Sequence, residues 1–206
     1  MTSMMKSCLL LSIAGCVSSI LAGCGGGGTV LAGNPPSVPA VANSGFESPA
    51  LAANDWNQAL VPGWSGRNAW GFANGSGQWG AGGHSGSQYA YVRTSTGGAG
   101  AGEITQTVDG FTVGAKYKVS FWLRKRTGGD IVFAVDPNKG TPMRVYANGA
   151  LILGPTPVPG DTWVQYTSKP FVATTTNYAI KFVPQLVGFG DWTDLIDDVE
   201  IKIATP

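Results

Sequence analysis

Cysteine, charge and histidine are all scarce in this sequence of 206 residues. Its cysteines are Cys8, Cys16 and Cys24, so the remainder of the chain cannot form a disulfide and must be stabilised by packing, or by packing and a metal ion. The 13 Lys and Arg residues nearly balance the 12 Asp and Glu residues, which gives no basic field of the kind that binds nucleic acid. One histidine and no Gly-x-Ser-x-Gly string leave little material for a nucleophile with its base.

The chain also lacks an apolar run long enough to cross a membrane. Lys6 is followed by an apolar run from Leu9 to Leu21, whereas a spanning helix needs roughly twenty residues. One early charge, a short apolar run and then small residues form the layout of an export signal. We therefore expect residues 1–23 to be removed as a signal peptide.

The end of this signal, Leu21-Ala22-Gly23-Cys24, resembles the lipobox that the lipoprotein signal peptidase cuts. The resemblance implies that Cys24 becomes the first residue, carries fatty acids such as palmitate, and anchors an exported protein to a membrane. Two or three acyl chains make a firm tether, at roughly 0.8 kcal/mol per buried methylene. Gly25 stands where an inner-membrane retention signal would have aspartate, which favours the outer membrane or the cell surface. The alternative is an N-terminal helix in which Cys24 is an ordinary buried thiol.

Residues 24–40 are rich in glycine and proline and are typical of a spacer. Residues 41–206 contain no further linker or repeat and suit one domain, which we expect to be monomeric. Short alternating runs recur between turn signals, and no window of ten residues free of Gly and Pro has helical periodicity. The sequence therefore predicts an all-β fold, an antiparallel two-sheet sandwich. The predicted strands are Gln88 to Thr94, Glu103 to Val108, Ala115 to Arg126, Asp130 to Val135, Met143 to Ala147, Trp163 to Ala173, Tyr178 to Pro184 and Leu195 to Ile203, with hairpin turns at Thr127-Gly128-Gly129 and Asn148-Gly149.

Two of these strands place aromatic residues and arginine together on an outward face. In the strand around Phe121, alternation puts Trp122 and Arg124 on the face opposite the apolar residues. In residues 88–94 the same alternation turns Tyr91 and Arg93 outward.

Six short strings follow one another along the domain: Asn43-Ser44-Gly45-Phe46-Glu47, Pro62-Gly63-Trp64, Gly102-Glu103-Ile104-Thr105-Gln106, Tyr117-Lys118-Val119-Ser120-Phe121, Trp163-Val164-Gln165-Tyr166 and Ile196-Asp197-Asp198-Val199. In this order they resemble the galactose-binding-like jelly rolls. The resemblance is strongest to carbohydrate-binding modules of families 4, 9 and 22 and to a related cell-wall domain of unknown function. It implies a jelly-roll sandwich that binds a polysaccharide or glycan.

The same resemblance implies a structural calcium ion that ties the first strand to the last. Calcium prefers six to eight oxygen ligands. Glu47, Asp197 and Asp198 occupy the matching positions and would supply the side-chain ligands. In the alternative, the two aspartates are simply solvated at the end of a strand.

Aromatic residues in segments that read as loops are the candidate sugar contacts, because a flat ring can stack on a pyranose while amides bind its hydroxyl groups. The segment Asn68 to His84 is the first candidate, since it concentrates Trp70, Gln78, Trp79 and His84. Trp56 and Trp192 also fall in loop-like segments. Trp70 and Trp79 could instead be staples that fold the loop onto the body. The outward set Tyr91, Arg93, Trp122 and Arg124 is the second candidate, with an arginine–aromatic stack as its alternative, and Trp64 and Trp163 are expected to pack in the core or on the sheet.

We predict a surface-tethered lipoprotein whose domain binds glycan without catalysis. A hydrolase or lyase is the competing class, with His84 beside Ser85 or Ser87, or with a carboxylate pair drawn from Glu47, Glu103, Asp194, Asp197 and Asp198. A structural or protein-interaction module of the cell envelope is the third.

Overall fold

Thirteen β-strands and no helix form the part of the chain that the computed structural model describes, namely residues 34–58, 61–75, 80, 82–95, 100–127, 141–160, 162–186 and 191–205. No helix that could span a membrane occurs in these residues. The strands are β1 (Trp56–Asn57), β2 (Ser65–Arg67), β3 (Trp70–Asn74), β4 (Gln88–Ser95), β5 (Gly100–Ala101), β6 (Glu103–Asp109), β7 (Lys116–Lys125), β8 (Met143–Ala147), β9 (Ala150–Thr156), β10 (Val164–Thr167), β11 (Phe171–Val172), β12 (Asn177–Pro184) and β13 (Asp191–Ile203).

The strands are arranged in two antiparallel sheets. The larger sheet has the order β1-β3-β4-β13-β7-β10, with β5 paired to β4 and β11 paired to β7. The smaller sheet has the order β2-β6-β12-β8-β9. The predicted all-β fold of two antiparallel sheets is therefore confirmed.

The core lies between the sheets and follows from the alternation along each strand. On β7, every second residue from Tyr117 to Leu123 is buried in this core. Phe121 of the larger sheet meets Phe182 of the smaller one edge to face, with ring centroids 4.9 Å apart. Because side chains on a strand point alternately to its two faces, the intervening residues point away from the core.

Most predicted strand bounds agree with the structure within a few residues, but the strand predicted over residues 163–173 is wrong. It is divided into β10 and β11, both paired with β7. Between them, the amide of Val119 donates to Ser168 Oγ at 3.0 Å instead of to a backbone carbonyl, and Pro170 has no amide to offer the ladder. The predicted strand 130–135 and the turn residues Gly128 and Gly129 lie outside the described residues.

The hairpin predicted at Asn148-Gly149 is confirmed. It joins β8 to β9, and its two residues have φ angles of 46° and 82°, as a type I′ turn requires. The Asn148 side chain also accepts a hydrogen bond from the amide of Ala179 at 2.8 Å, which fixes the turn to β12.

The folded unit begins at Pro35, inside the segment assigned to the spacer. The carbonyl of Ser37 accepts a hydrogen bond from Tyr117 Oη at 3.0 Å, and its amide donates to Thr112 Oγ1 at 3.1 Å. Residues 35–40 therefore pack on the body of the sandwich.

Candidate functional site

The outer face of the larger sheet is lined by aromatic residues and arginines. Tyr91 and Arg93 on β4 and Trp122 and Arg124 on β7 point away from the inter-sheet core, as predicted from their alternation. Tyr91 is nonetheless only 2% exposed. A second apolar cluster therefore lies on this outer face, formed by Ala73, Tyr89, Tyr91 and Leu195 with Trp163 packed against them.

Two tryptophans cover the tyrosines of this second cluster. Trp163 meets Tyr89 edge to face, with ring centroids 5.9 Å apart, and Trp56 meets Tyr91 in the same way at 6.5 Å. The two tryptophans come from opposite edges of the sheet, since Trp56 lies on edge strand β1 and Trp163 directly precedes edge strand β10. Burial raises the pKa of Tyr91 to about 12 and also raises the pKa of Tyr89.

Gly71 on β3 provides the room that Tyr91 occupies. A Cβ atom at position 71 would lie 2.7 Å from Tyr91 Oη and 2.1 Å from the carbonyl oxygen of Asn57. The absence of a side chain here lets the end of the tyrosine ring lie over the neighbouring strand.

A short stretch of chain crosses the outer face and is held there at three points. We call Gly80 and residues 82–84 the covering segment. Arg124 Nη2 donates to the carbonyl of Gly80 at 2.8 Å, and Trp163 Nε1 donates to the carbonyl of Gly82 at 3.1 Å. The imidazole of His84 stacks on Trp122, with centroids 3.6 Å apart and planes 14° apart. Trp122 and Arg124 thus bind the protein's own chain.

Two consecutive aspartates hold the end of the covering segment. Asp198 accepts from His84 Nδ1 and from Ser85 Oγ, each at 2.6 Å, while Asp197 Oδ2 accepts from the amide of His84 at 2.7 Å. Both carboxylates reach the same loop because β13 has a bulge between Asp197 and Glu200, where Asp198 has a φ of 47°. Burial, and next the charge of Asp198, raise the pKa of Asp197 to about 8.

Glu47 anchors the continuation of the same loop. Its Oε1 accepts from the amides of Ser87 and Gln88 at 2.9 and 2.7 Å. The side chains of His84 and Ser85 bond to Asp198, and that of Ser87 bonds to Glu47. These contacts hold the loop of residues 84–87 in place.

The three carboxylates proposed as calcium ligands partly fit a metal. A cation would relieve the repulsion between Asp197 and Asp198, which helps to raise the pKa of Asp197. Within the described ranges, however, no three or more His, Cys, Asp and Glu side chains are grouped to hold a metal ion. The carboxylates of Glu47 and of the aspartates instead bond to successive residues of one loop. Calcium at Glu47, Asp197 and Asp198 stays a prediction.

Trp70 and Trp192 lie elsewhere, at one end of the space between the sheets. Trp70 is half-buried and packs against the inter-sheet core, and Trp192 is buried on β13. Both are in strands, so the prediction that they belong to loops is wrong, as it is for Trp56. The segment Asn68 to His84 is interrupted by β3 and is not one long loop.

Asp194 lies on β13 two residues from Trp192, in the same row of the sheet as Trp70, and is fully buried. Thr141 Oγ1 donates a hydrogen bond to its Oδ2. Burial raises the pKa of Asp194 to about 7, although the hydrogen bonds from Thr141 and the charge of Lys125 act to lower this pKa.

The structure thus divides the predicted sugar contacts into separate groups. His84, Tyr91, Arg93, Trp122 and Arg124 are brought together on the outer face, Trp70 and Trp192 lie at the inner end, and Gln78 and Trp79 are outside the described residues.

Trp64 is 7% exposed and packs in the core, as predicted. Trp163 packs on the sheet, also as predicted, but its position at the candidate site was not predicted. The alternation of side chains along the strand could have indicated this position. Trp163 is two residues from Gln165, which pairs with the outward Trp122, so it points to the same face, whereas Tyr166 faces the core.

The sequence matches no protein-family model and none of the curated proteins. Solved structures do share the fold. A Stig cyclase, Fisc, from Fischerella sp. TAU in complex with (3Z)-3-(1-methyl-2-pyrrolidinylidene)-3H-indole is 18% identical, with a TM-score of 0.62 over 82% of this chain and 99% of that chain. A cyclase from Fischerella sp. TAU in complex with 4-(1H-indol-3-yl)butan-2-one is also 18% identical, with a TM-score of 0.63 over 82% of this chain and 100% of that chain.

The carbohydrate-binding module TmCBM61, in complex with β-1,4-galactotriose, is 17% identical and has a TM-score of 0.51 over 82% of this chain and 100% of that chain. At these identities the likeness shows a shared fold. The chain therefore has the galactose-binding-like jelly-roll fold that its sequence predicted.

Proposed function

We propose that this protein binds a polysaccharide or glycan, without catalysis, on the outer face of its larger sheet. The observation that carries the proposal is the composition of that face. An outer sheet face is ordinarily polar, yet this one is built from Tyr89, Tyr91, Trp163 and Trp56 with two arginines beside them.

Among the described residues of this face, the rings that a sugar can reach are those at its two edges. Trp56 is 44% exposed and Trp163 is half-buried, whereas the outward face of Trp122 is occupied by His84. A sugar chain lying across the strands would stack on Trp56 and Trp163, and polar groups of the covering segment would meet its hydroxyl groups. The shared fold with TmCBM61, whose complex contains β-1,4-galactotriose, is consistent with this use.

The tether is part of the proposal. A lipid on Cys24 would hold the domain at the outer membrane or cell surface as a monomer. Individual stacking contacts are weak, and many tethered copies would raise the effective concentration at a polysaccharide.

The test is a glycan array and polysaccharide pull-down with the full-length chain in detergent micelles. We expect Trp56→Ala and Trp163→Ala each to weaken binding at least tenfold, with Trp56→Ala leaving the melting temperature nearly unchanged. The matched control is Tyr146→Ala, which removes a half-buried aromatic ring from β8 of the smaller sheet and should retain binding. Binding to none of the plant, algal and bacterial polysaccharides would refute the proposal and would favour a protein partner in the cell envelope.

A further inference from the structure

The apolar lining of the core gives way to polar residues at one end of the larger sheet. On three adjacent strands the last core-facing residue at this end is polar and its neighbour on the same face is apolar. The pairs, apolar residue first, are Val92 and Thr94 on β4, Ile196 and Asp194 on β13, and Leu123 and Lys125 on β7. All three polar side chains are at least 95% buried. We call this region, together with Trp70, Thr141 and Trp192, the inner end.

The residues of the inner end are brought together by strand register. Trp70 pairs with Val92, Val92 pairs with Asp194, and Asp194 pairs with Lys125, so these positions form one row across four strands. Trp192 pairs with Thr94 in the next row. Trp70 therefore lies in the same row as the buried carboxyl group, two strands away, and Trp192 lies two residues from it on the same face of β13.

Several buried polar atoms here have no partner in the part of the chain that the structure describes. They are Asp194 Oδ1, Trp192 Nε1 and Thr94 Oγ1. Almost all buried polar groups in native proteins are hydrogen-bonded, because an unmade bond leaves the cost of desolvation uncompensated. Three such atoms on two paired strands are difficult to explain as packing, and they present one acceptor, one donor and one hydroxyl group to the same space.

The packing around Trp70 also departs from a simple core. Gly66 on β2 approaches the ring so closely that a Cβ atom there would lie 2.4 Å from Trp70 Cδ2. The glycine allows an indole ring, itself half-buried, to fill the space between the sheet edges and to form a wall of the inner end.

We propose that the inner end binds a small polyol, of the size of one sugar unit or less. A hydroxyl group can donate to Asp194 Oδ1 and accept from Trp192 Nε1 at once, a second hydroxyl can bond to Thr94, and the C–H faces of the ligand can pack on the two indole rings. This site is distinct from the outer face, and it does not depend on the glycan proposal.

The electrostatics of Asp194 suit such a ligand. Its pKa is raised to about 7 by burial, so the carboxyl group exchanges between acceptor and donor near neutral pH. A neutral ligand that both donates and accepts can satisfy either form, whereas an ionic ligand could satisfy only one.

The experiment follows the indole resonances of the full-length chain in micelles. The Trp192 Nε1–H signal of ¹⁵N-labelled protein is assigned by its loss in Trp192→Phe, and glycerol, methyl β-galactoside and methyl β-xyloside are titrated in turn. We expect a saturable displacement of the Trp192 signal with at least one probe. The Trp64 signal, whose indole lies in the core and donates to the carbonyl of Asn43, should stay in place. If none of the probes moves the Trp192 signal, the proposal is wrong.

Two variants separate binding from folding. Asp194→Asn and Thr94→Val each remove one partner and should lower the affinity for the probe at least tenfold while the protein stays folded. If either variant binds the probe like the unaltered chain, that residue is not part of the site and the proposal fails. Trp56→Ala should leave this titration unchanged, and Asp194→Asn should leave polysaccharide binding unchanged, so the two proposals can fail separately.

Discussion

The imidazole of His84 lies flat on the indole of Trp122, with ring centroids 3.6 Å apart and the planes inclined by 14°. The same imidazole bonds to Asp198 at 2.6 Å and faces the edge of Trp163 at 6.4 Å. The indole of Trp122, which was predicted to contact sugar, therefore holds the covering segment on the sheet.

Removing this imidazole should loosen the covering segment. We expect His84→Ala to lower the free energy of unfolding by about 1–2 kcal/mol, since an aromatic pair and a charge-assisted hydrogen bond are lost at a partly exposed site. His84→Phe keeps the stack and loses only the bond to Asp198, so its loss should be about half as large. Urea unfolding of the three proteins measures this, and unchanged stability in His84→Ala would show that the segment is held by its other contacts.

Gly71 should be the glycine least tolerant of a side chain on the outer face. Gly71→Ala would place a methyl group against Tyr91 and the carbonyl of Asn57, and we expect a loss of about 1–3 kcal/mol. Gly82→Ala is the matched control, because nothing lies within 4 Å of its Cβ position, and its effect should stay within about 0.5 kcal/mol. Thermal unfolding compares the two, and equal effects would mean that Tyr91 can move aside.

Asp194 should make the protein less stable as the pH rises. Its pKa is raised by burial from 3.8 in the unfolded chain to about 7, so between these values the folded state keeps a proton that the unfolded state has lost. The free energy of unfolding should fall across this range by up to about 4 kcal/mol, at about 1.4 kcal/mol per unit of pKa. Burial and Asp198 raise the pKa of Asp197 in the same direction.

The control for this pH dependence is Asp194→Asn, which removes one of the two carboxyl groups whose pKa is raised. Urea unfolding near pH 4 and pH 8 should give a shallower decline for the variant, which should also be the more stable protein at pH 8. An identical decline in both proteins would mean that Asp194 titrates normally in the fold.

Calcium should raise the melting temperature if Glu47, Asp197 and Asp198 hold it. A cation would offset the repulsion between the paired aspartates and fix the loop that they bind. We expect a chelator to lower the melting temperature and added calcium to restore it, with Asp198→Asn abolishing the response. An unchanged melting temperature on chelation would show that these carboxylates hold no calcium.

Cys24 should determine where the protein is found. In cells fed labelled palmitate, the full chain is expected to take up the label and to partition into detergent, whereas Cys24→Ser should do neither. Cys16→Ser, which lies before the predicted cleavage point, is the matched control and should behave like the unaltered chain. Label in the Cys24→Ser protein would place the lipid on another residue.

Local alternation was enough to predict β4, β6, β7, β8 and β12 and the direction of most of their side chains. The outward positions of Tyr91 and Trp122 and the core positions of Phe121 and Leu123 follow from a period of two, which the pleat of a strand imposes whatever the tertiary structure. The turn at Asn148-Gly149 was equally predictable, because few residues tolerate its φ angles.

The candidate sites were less predictable, because glycine-rich neighbours hid the strands that contain Trp70 and Trp192. Trp70 lies beside Gly71, and Trp192 comes shortly after Gly188 and Gly190, so the sequence around each is typical of a loop. Their strand pairing with β4, and with it their position at the inner end, depends on partners far away in the sequence.

Composition and alternation by themselves therefore determined that residues 41–206 form a β-sandwich without cysteine and with an aromatic outer face. The export signal stays a prediction. Which aromatic rings remain available was decided only by tertiary structure. The bulge in β13 turns Asp197 and Asp198 toward one loop, and those carboxylates bring His84 over Trp122. Strand register places Trp70 in the same row of the sheet as the buried Asp194. Each of these outcomes joins residues that are distant in the chain, and so none follows from a local pattern.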